Sequence, residues 1–144
     1  MNSISMLPAS RRYLLIDPST QTVSEQFAPL TFENLCATIG CDELEAMMHS
    51  AGHLIWFDAS RVPENTLLDV FVVHGMPVAG SRAVMTGGEN QYGTLDGCRF
   101  SAGTLASEIS WRPARQIVGE TVRQIVDADG VIQLAVEWLF HPPL

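Results

Sequence analysis

One stretch near the C-terminal end constrains the fold more than any other. Ile132, Leu134, Val136, Trp138 and Phe140 alternate with Gln133, Ala135, Glu137 and Leu139, the strict period of two that belongs to a β-strand. Upstream, Thr121 to Val126 is also strand-like. Between them, Asp127-Ala128-Asp129-Gly130 reads as a turn whose glycine can take a positive φ. Residues 121–140 are therefore expected to form a β-hairpin, and Pro142-Pro143 prevents the strand from continuing.

The remainder reads as a series of short elements. Tyr13-Leu14-Leu15-Ile16 has the character of a buried strand. Asp17-Pro18-Ser19-Thr20 is a turn in which Pro fixes one φ and Asp accepts from backbone N–H groups ahead of it. Thr22 to Phe27 returns with Val23, Glu25 and Phe27 alternating against Thr22, Ser24 and Gln26, giving an opening hairpin. Thr31 is a good helix N-cap. Phe32, Leu35, Cys36 and Ile39 recur at helical spacing, and Gly40 suits the position after the helix, an arrangement that turns Cys36 toward the core. Asp42 to Ser50 satisfies two patterns: a helix opened by Asp42 and Glu45, or a strand carrying Leu44, Ala46 and Met48. His53 to Phe57 is aromatic and β-branched enough to be a strand, ending at Asp58-Ala59-Ser60.

Arg61 to Thr66 is a loop around Pro63. Asp69 to Val73 and Val78 to Thr86 supply further strand material, Glu89 to Gly97 is the longest polar loop, and Ser107 to Arg112 is a short strand with Ile109 and Trp111 on one face. Together these predict a single α+β domain over residues 1–144, with residues 1–10 frayed. Its largely antiparallel sheet has six or more strands and is joined by one or two short helices.

Charge and composition exclude several functions. The chain carries sixteen acidic residues against eight basic ones, for a net charge of −8, and all eight are arginines. Without a lysine there is no phosphate-gripping P-loop, no Schiff-base or pyridoxal chemistry and no serine–lysine hydrolase. The scattered arginines offer no track for a phosphate backbone, so direct nucleic-acid binding is not expected. No apolar stretch approaches the length of a membrane span, and no basic start followed by an apolar run opens the chain. With three cysteines in no framework spacing, a cytoplasmic location with reduced thiols follows as the expectation.

The residues that carry chemistry form no complete motif. His49 and His53 stand four apart, and Cys41 would make a three-ligand set. Gly52 interrupts any common helix, and the spacing repeats no known zinc module, so neither a metal nor a cofactor is expected. His74, at a strand end beside Gly75, sits where a general base could act. No G-x-S-x-G elbow is present: Ser81 lacks the second glycine. Cys98 follows Gly97 in a loop that would expose it, but no partner base stands beside it in sequence. The most site-like stretch is Thr86 to Thr94, whose Glu89, Asn90 and Tyr92 make it a candidate recognition loop. Asp58 and Arg61 bracket the end of the aromatic strand, where they could hold a polar ligand or pair with each other. Trp56, Trp111 and Trp138 all lie on strand faces, where core packing is the default.

Several short stretches resemble a family of small bacterial and phage proteins of unassigned function. These are Leu15-Ile16-Asp17-Pro18 with Val23, Ile39-Gly40-Cys41-Asp42, Ile55-Trp56-Phe57-Asp58, Val78-Ala79-Gly80 and Val84-Met85-Thr86-Gly87. They follow the family's order over about residues 13 to 111. The pattern departs at Ala59-Ser60-Arg61, where the family carries an acidic, glycine-containing turn, and the C-terminal hairpin lies outside it. The resemblance implies that Asp42 to His49 is a strand paired with His53 to Asp58, and that the gene belongs to a phage, plasmid or integrated element. It supplies no catalytic residue. The sequence thus leads first to a non-enzymatic, acidic interaction protein that modulates or inhibits a host protein, the partner having a basic surface. The alternative is a small-ligand binder or enzyme whose polar site gathers Asp58, Arg61, His74, Glu89 and Tyr92. Oligomeric state is left open.

Overall fold

The computed structural model describes residues 9–60, 62–126 and 128–144, and of Arg123 and Ile125 the backbone alone. Of the expected frayed start over residues 1–10, residues 1–8 lie outside the described residues, as does Arg61, and Ser10 already belongs to a strand.

Eleven elements follow in the order β1 (Ser10–Asp17), β2 (Thr22–Pro29), α1 (Phe32–Ile39), β3 (Leu44–Met48), β4 (Leu54–Asp58), β5 (Leu67–Val73), β6 (Met76–Ala79), β7 (Ala83–Thr86), α2 (Ala102–Glu108), β8 (Ile109–Val126) and β9 (Ile132–His141). The α+β class holds, but the strands divide into two sheets rather than one. Five strands run in the order β2-β1-β7-β4-β3 and four in the order β6-β5-β8-β9. Every pairing between these strands is antiparallel.

Alternation along β1 shows how the layers are built. Leu14 and Ile16 point into a core shared with Phe71 and Val73 of β5, Val78 of β6, Ile55 of β4 and Met85 of β7, so the two sheets pack face to face. Tyr13 points to the other side, where Leu35 and Ile39 of α1 cover the five-stranded sheet together with Val84, Leu30 and Leu95. All four residues of β7 are buried because the strand sits at the centre of its sheet with both faces covered. A smaller cluster of Val70, Ile117 and Phe140 closes the base of β8 and β9.

Local signals act as their chemistry dictates. The Asp17 carboxylate accepts from the Ser19 backbone N–H at 3.0 Å and from its hydroxyl at 2.7 Å, closing the first turn. The Thr31 side chain accepts from Asn34 N–H at 3.1 Å, and Gly40 adopts φ +83° beyond the end of α1. The two patterns open over Asp42 to Ser50 resolve to a strand: Leu44 pairs with Asp58 and Met48 with Leu54.

Four expectations need correcting. Val78 to Thr86 is not one strand. It breaks at Gly80, with φ +78°, and its halves β6 and β7 belong to different sheets. Ser107 does not begin a strand either, since residues 102–108 form α2, capped by Ser101, whose hydroxyl accepts from Thr104 N–H. The strand that follows is one 18-residue element, so Thr121 to Val126 is its distal end rather than a separate strand. Cys36 is half-buried, and Leu35 and Ile39 are the residues of α1 that enter the core.

Candidate functional site

The C-terminal hairpin forms as expected, from Gln116 paired with His141 to Val126 paired with Ile132. β5 accompanies β8 only as far as Gln116. Beyond that point β8 pairs with β9 alone: Glu120, Val136 and Trp138 still line a cleft with Phe57, Val62, Pro77 and Val78, and the remainder is a two-stranded ribbon. Register places Val122 opposite Val136 and Val126 opposite Ile132, with Leu134 and Trp138 on the same face. That stripe is continuous with the core: Phe140 is buried and Trp138 packs beside it, while Val136 is 57%, Leu134 69% and Ile132 59% exposed. Val122 and Val126 on the facing strand are exposed to a similar degree. β9 is also the outer strand of its sheet, an edge that natural proteins ordinarily cover or blunt. Exposed apolar side chains gathered on one face, here with Gln124 and Glu120 between them on β8, make this face a candidate contact surface.

The polar residues singled out from the sequence do not converge. Asp58, at the end of β4, accepts from Ser60 N–H at 2.8 Å and helps to line an open cleft with Asp17, Asp69 and Arg82. Glu89, Asn90 and Tyr92 lie in a loop that folds upon itself. Glu89 bridges Leu95, while the Asn90 side-chain oxygen accepts from the N–H groups of Tyr92 and Thr94. The loop leaves the Tyr92 side chain 78% exposed at its tip. Gly87 anchors its base: a Cβ there would stand 2.8 Å from the Gly97 carbonyl oxygen. Among the described residues, no hydrogen bond or ion pair joins Asp58, His74 and this loop.

His74 instead meets residues that sequence spacing could not connect to it. It occupies the two-residue turn between β5 and β6 with φ +50°, followed by Gly75 at φ +75°, the geometry of a type I′ hairpin turn. Its Nε2 lies 3.4 Å from a Glu108 oxygen at the end of α2, and His49 Nε2 lies 2.6 Å from the same oxygen. The two imidazole rings stack at 4.4 Å between centroids, and Phe100 meets His49 edge-on at 5.0 Å. The His49 side chain is almost wholly buried and that of His74 half-exposed.

His53 and Cys41 do not join His49 to make the ligand set considered from sequence. His53 is buried, and its Nε2 accepts from Arg99 N–H at 3.0 Å while Nδ1 faces the carbonyls of Ser50 and Ala51 at 3.2 Å. These partners require the neutral ring with its proton on Nδ1. Burial, and then the nearby Arg99 guanidinium, hold its pKa below the ordinary histidine value. Cys41 packs under α1, where burial followed by the neighbouring Cys36 thiol pushes its pKa up to about 11. Cys98 is buried rather than loop-exposed, and burial raises its pKa as well, so neither thiol is poised as a nucleophile. Trp56 keeps its packing role. Its Nε1 donates to the Thr86 hydroxyl at 2.9 Å, and Phe32 lies against its ring.

No helix among the described residues is long and apolar enough to cross a membrane. No family model, no curated protein and no solved structure matches the chain.

Proposed function

We propose that this chain is a non-catalytic protein-binding module that docks through the apolar face of the β8–β9 ribbon. A single observation carries the reading: Val122, Val126, Ile132, Leu134 and Val136 share one face of a two-stranded ribbon, and each is more than half exposed. A ribbon of two strands is marginal in water by itself. Covering this face would remove apolar area from water and stabilise both the ribbon and the complex. The net charge of −8 favours a partner with a basic surface, since complementary potentials steer encounter. The resemblance to proteins of mobile elements points to a host protein whose activity the chain modulates or inhibits.

The test is affinity capture from host extract with the wild-type chain and with Leu134→Lys, which places a charge at the centre of the stripe. The account expects a partner retained by the wild type and lost by the variant, although the variant folds normally by circular dichroism. Equal retention by both would overturn it. A wild-type homodimer abolished by Leu134→Lys would assign the surface to a second copy and would remove the host-protein reading.

A further inference from the structure

The cluster of His49, His74 and Glu108 has no part in docking through the ribbon. Its three residues come from different places: the end of β3, the β5–β6 turn of the other sheet, and the last residue of α2. One ligand atom from each lies within 4.8 Å of the other two. Two imidazole nitrogens and a carboxylate oxygen are the donors of three-ligand zinc centres, which leave a fourth position open. We propose that His49, His74 and Glu108 form a binding site for Zn²⁺, with the fourth position held by water or by a group from outside the chain.

The ligand atoms are already close, but the two rings now stack with their planes 25° apart, so the half-exposed His74 has to turn off the His49 face before both Nε2 lone pairs meet one ion. Ligand bonds near 2.05 Å in a tetrahedral centre place ligand atoms roughly 3.3 Å apart. His74 Nε2 already stands 3.4 Å from the Glu108 oxygen, while His49 Nε2, at 2.6 Å, has to withdraw by a fraction of an ångström. Glu108 ends its helix and is partly exposed, so its carboxylate has room to turn. His49 is held in advance. Its ring is wedged between His74 and Phe100, and its Nδ1 lies 3.0 Å from the Ser50 hydroxyl. A histidine ligand's second nitrogen ordinarily has a hydrogen-bond partner, and the Ser50 hydroxyl can accept from Nδ1–H once Nε2 gives up its proton to bind the ion.

An ion pair alone explains less. His49 with Glu108 would suffice for the short contact, but it gives no reason for a second imidazole stacked on the first with its Nε2 3.4 Å from the same oxygen. Imidazole donors favour a late first-row ion over Mg²⁺ or Ca²⁺, which prefer oxygen ligands.

Metal-stripped, untagged protein should be titrated with Zn²⁺ and with Mg²⁺ by calorimetry, and its visible spectrum recorded with Co²⁺. The proposal expects one Zn²⁺ per chain, no Mg²⁺ binding and the intense bands of four-coordinate Co²⁺. His74→Asn suits the turn and so preserves the fold. It should weaken Zn²⁺ binding by at least about tenfold, as ligand loss does, and Glu108→Gln should do likewise. Cys36→Ser with Cys41→Ser should leave binding unchanged, and so should Leu134→Lys, which separates this site from the ribbon. The proposal is overturned if the wild type binds no Zn²⁺ in the micromolar range, if His74→Asn and Glu108→Gln bind as the wild type does, or if the cysteine variant loses the ion.

Discussion

β1 in the body and β9 in the ribbon obey the same alternation and meet opposite fates. In β1, Leu14 and Ile16 enter the inter-sheet core while Tyr13 lies beneath α1, so both faces are covered. In β9, Phe140 is buried at the base, but Val136, Leu134 and Ile132 continue the same stripe into solvent. Alternation therefore states that a segment is a strand with two unlike faces, and it does not state what covers the apolar one. In β1 the cover is the rest of the chain. For the ribbon this account supplies it from another protein.

Truncation separates the two regions most sharply. Phe71 is fully buried between the sheets, and Phe71→Ala should cost about 3–5 kcal/mol in urea unfolding. Leu134→Ala on the ribbon should change the stability of the isolated chain by less than about 0.5 kcal/mol. Similar losses at both positions would mean that the ribbon face is already covered within the chain.

Gly87→Ala should come next. The added Cβ would meet backbone at Gly97 and Asp96, which has little freedom to retreat, and the overpacking should cost about 1–3 kcal/mol. Removing the cap of α1 by Thr31→Ala should cost about 1 kcal/mol, because Asn34 N–H loses its acceptor.

His53 adds a pH dependence confined to the body. Its folded pKa is depressed, so the native ring stays neutral while the unfolded chain takes up a proton as pH falls through about 6.5. The unfolded state then binds more protons, and stability should decline as pH drops below about 6.5 until the lower folded pKa is reached. The groups facing this ring are Arg99, the His49 imidazole, and the carbonyls of Ser50 and Ala51. Thermal melts should show a shallower decline in His53→Gln. An equal decline in both would place the titration elsewhere.

Much of the fold was legible because its signals are local. The turn at Asp17, the caps at Thr31 and Gly40, and the period of two in β9 each involve neighbours in sequence. α2 escaped notice because only Leu105 of its seven residues is buried and no apolar repeat develops, although Ser101 with Thr104 offered a capping signal. The division into two sheets was hidden because Gly80 marks a break without indicating that the chain changes sheets there. The candidate sites were less legible. His49, His74 and Glu108 are far apart in sequence and meet only through the packing of one sheet on the other. Conversely, Glu89, Asn90 and Tyr92 looked like a site because they are polar and near glycines, and much of that polarity is spent holding their own loop.

The docking surface can be tested directly by amide hydrogen exchange of the chain alone and saturated with its captured partner. The account predicts slowed exchange in residues 119–139 on binding, with the already protected strands β1 and β7 unchanged. Unaltered exchange in residues 119–139, with new protection elsewhere on the body, would contradict it.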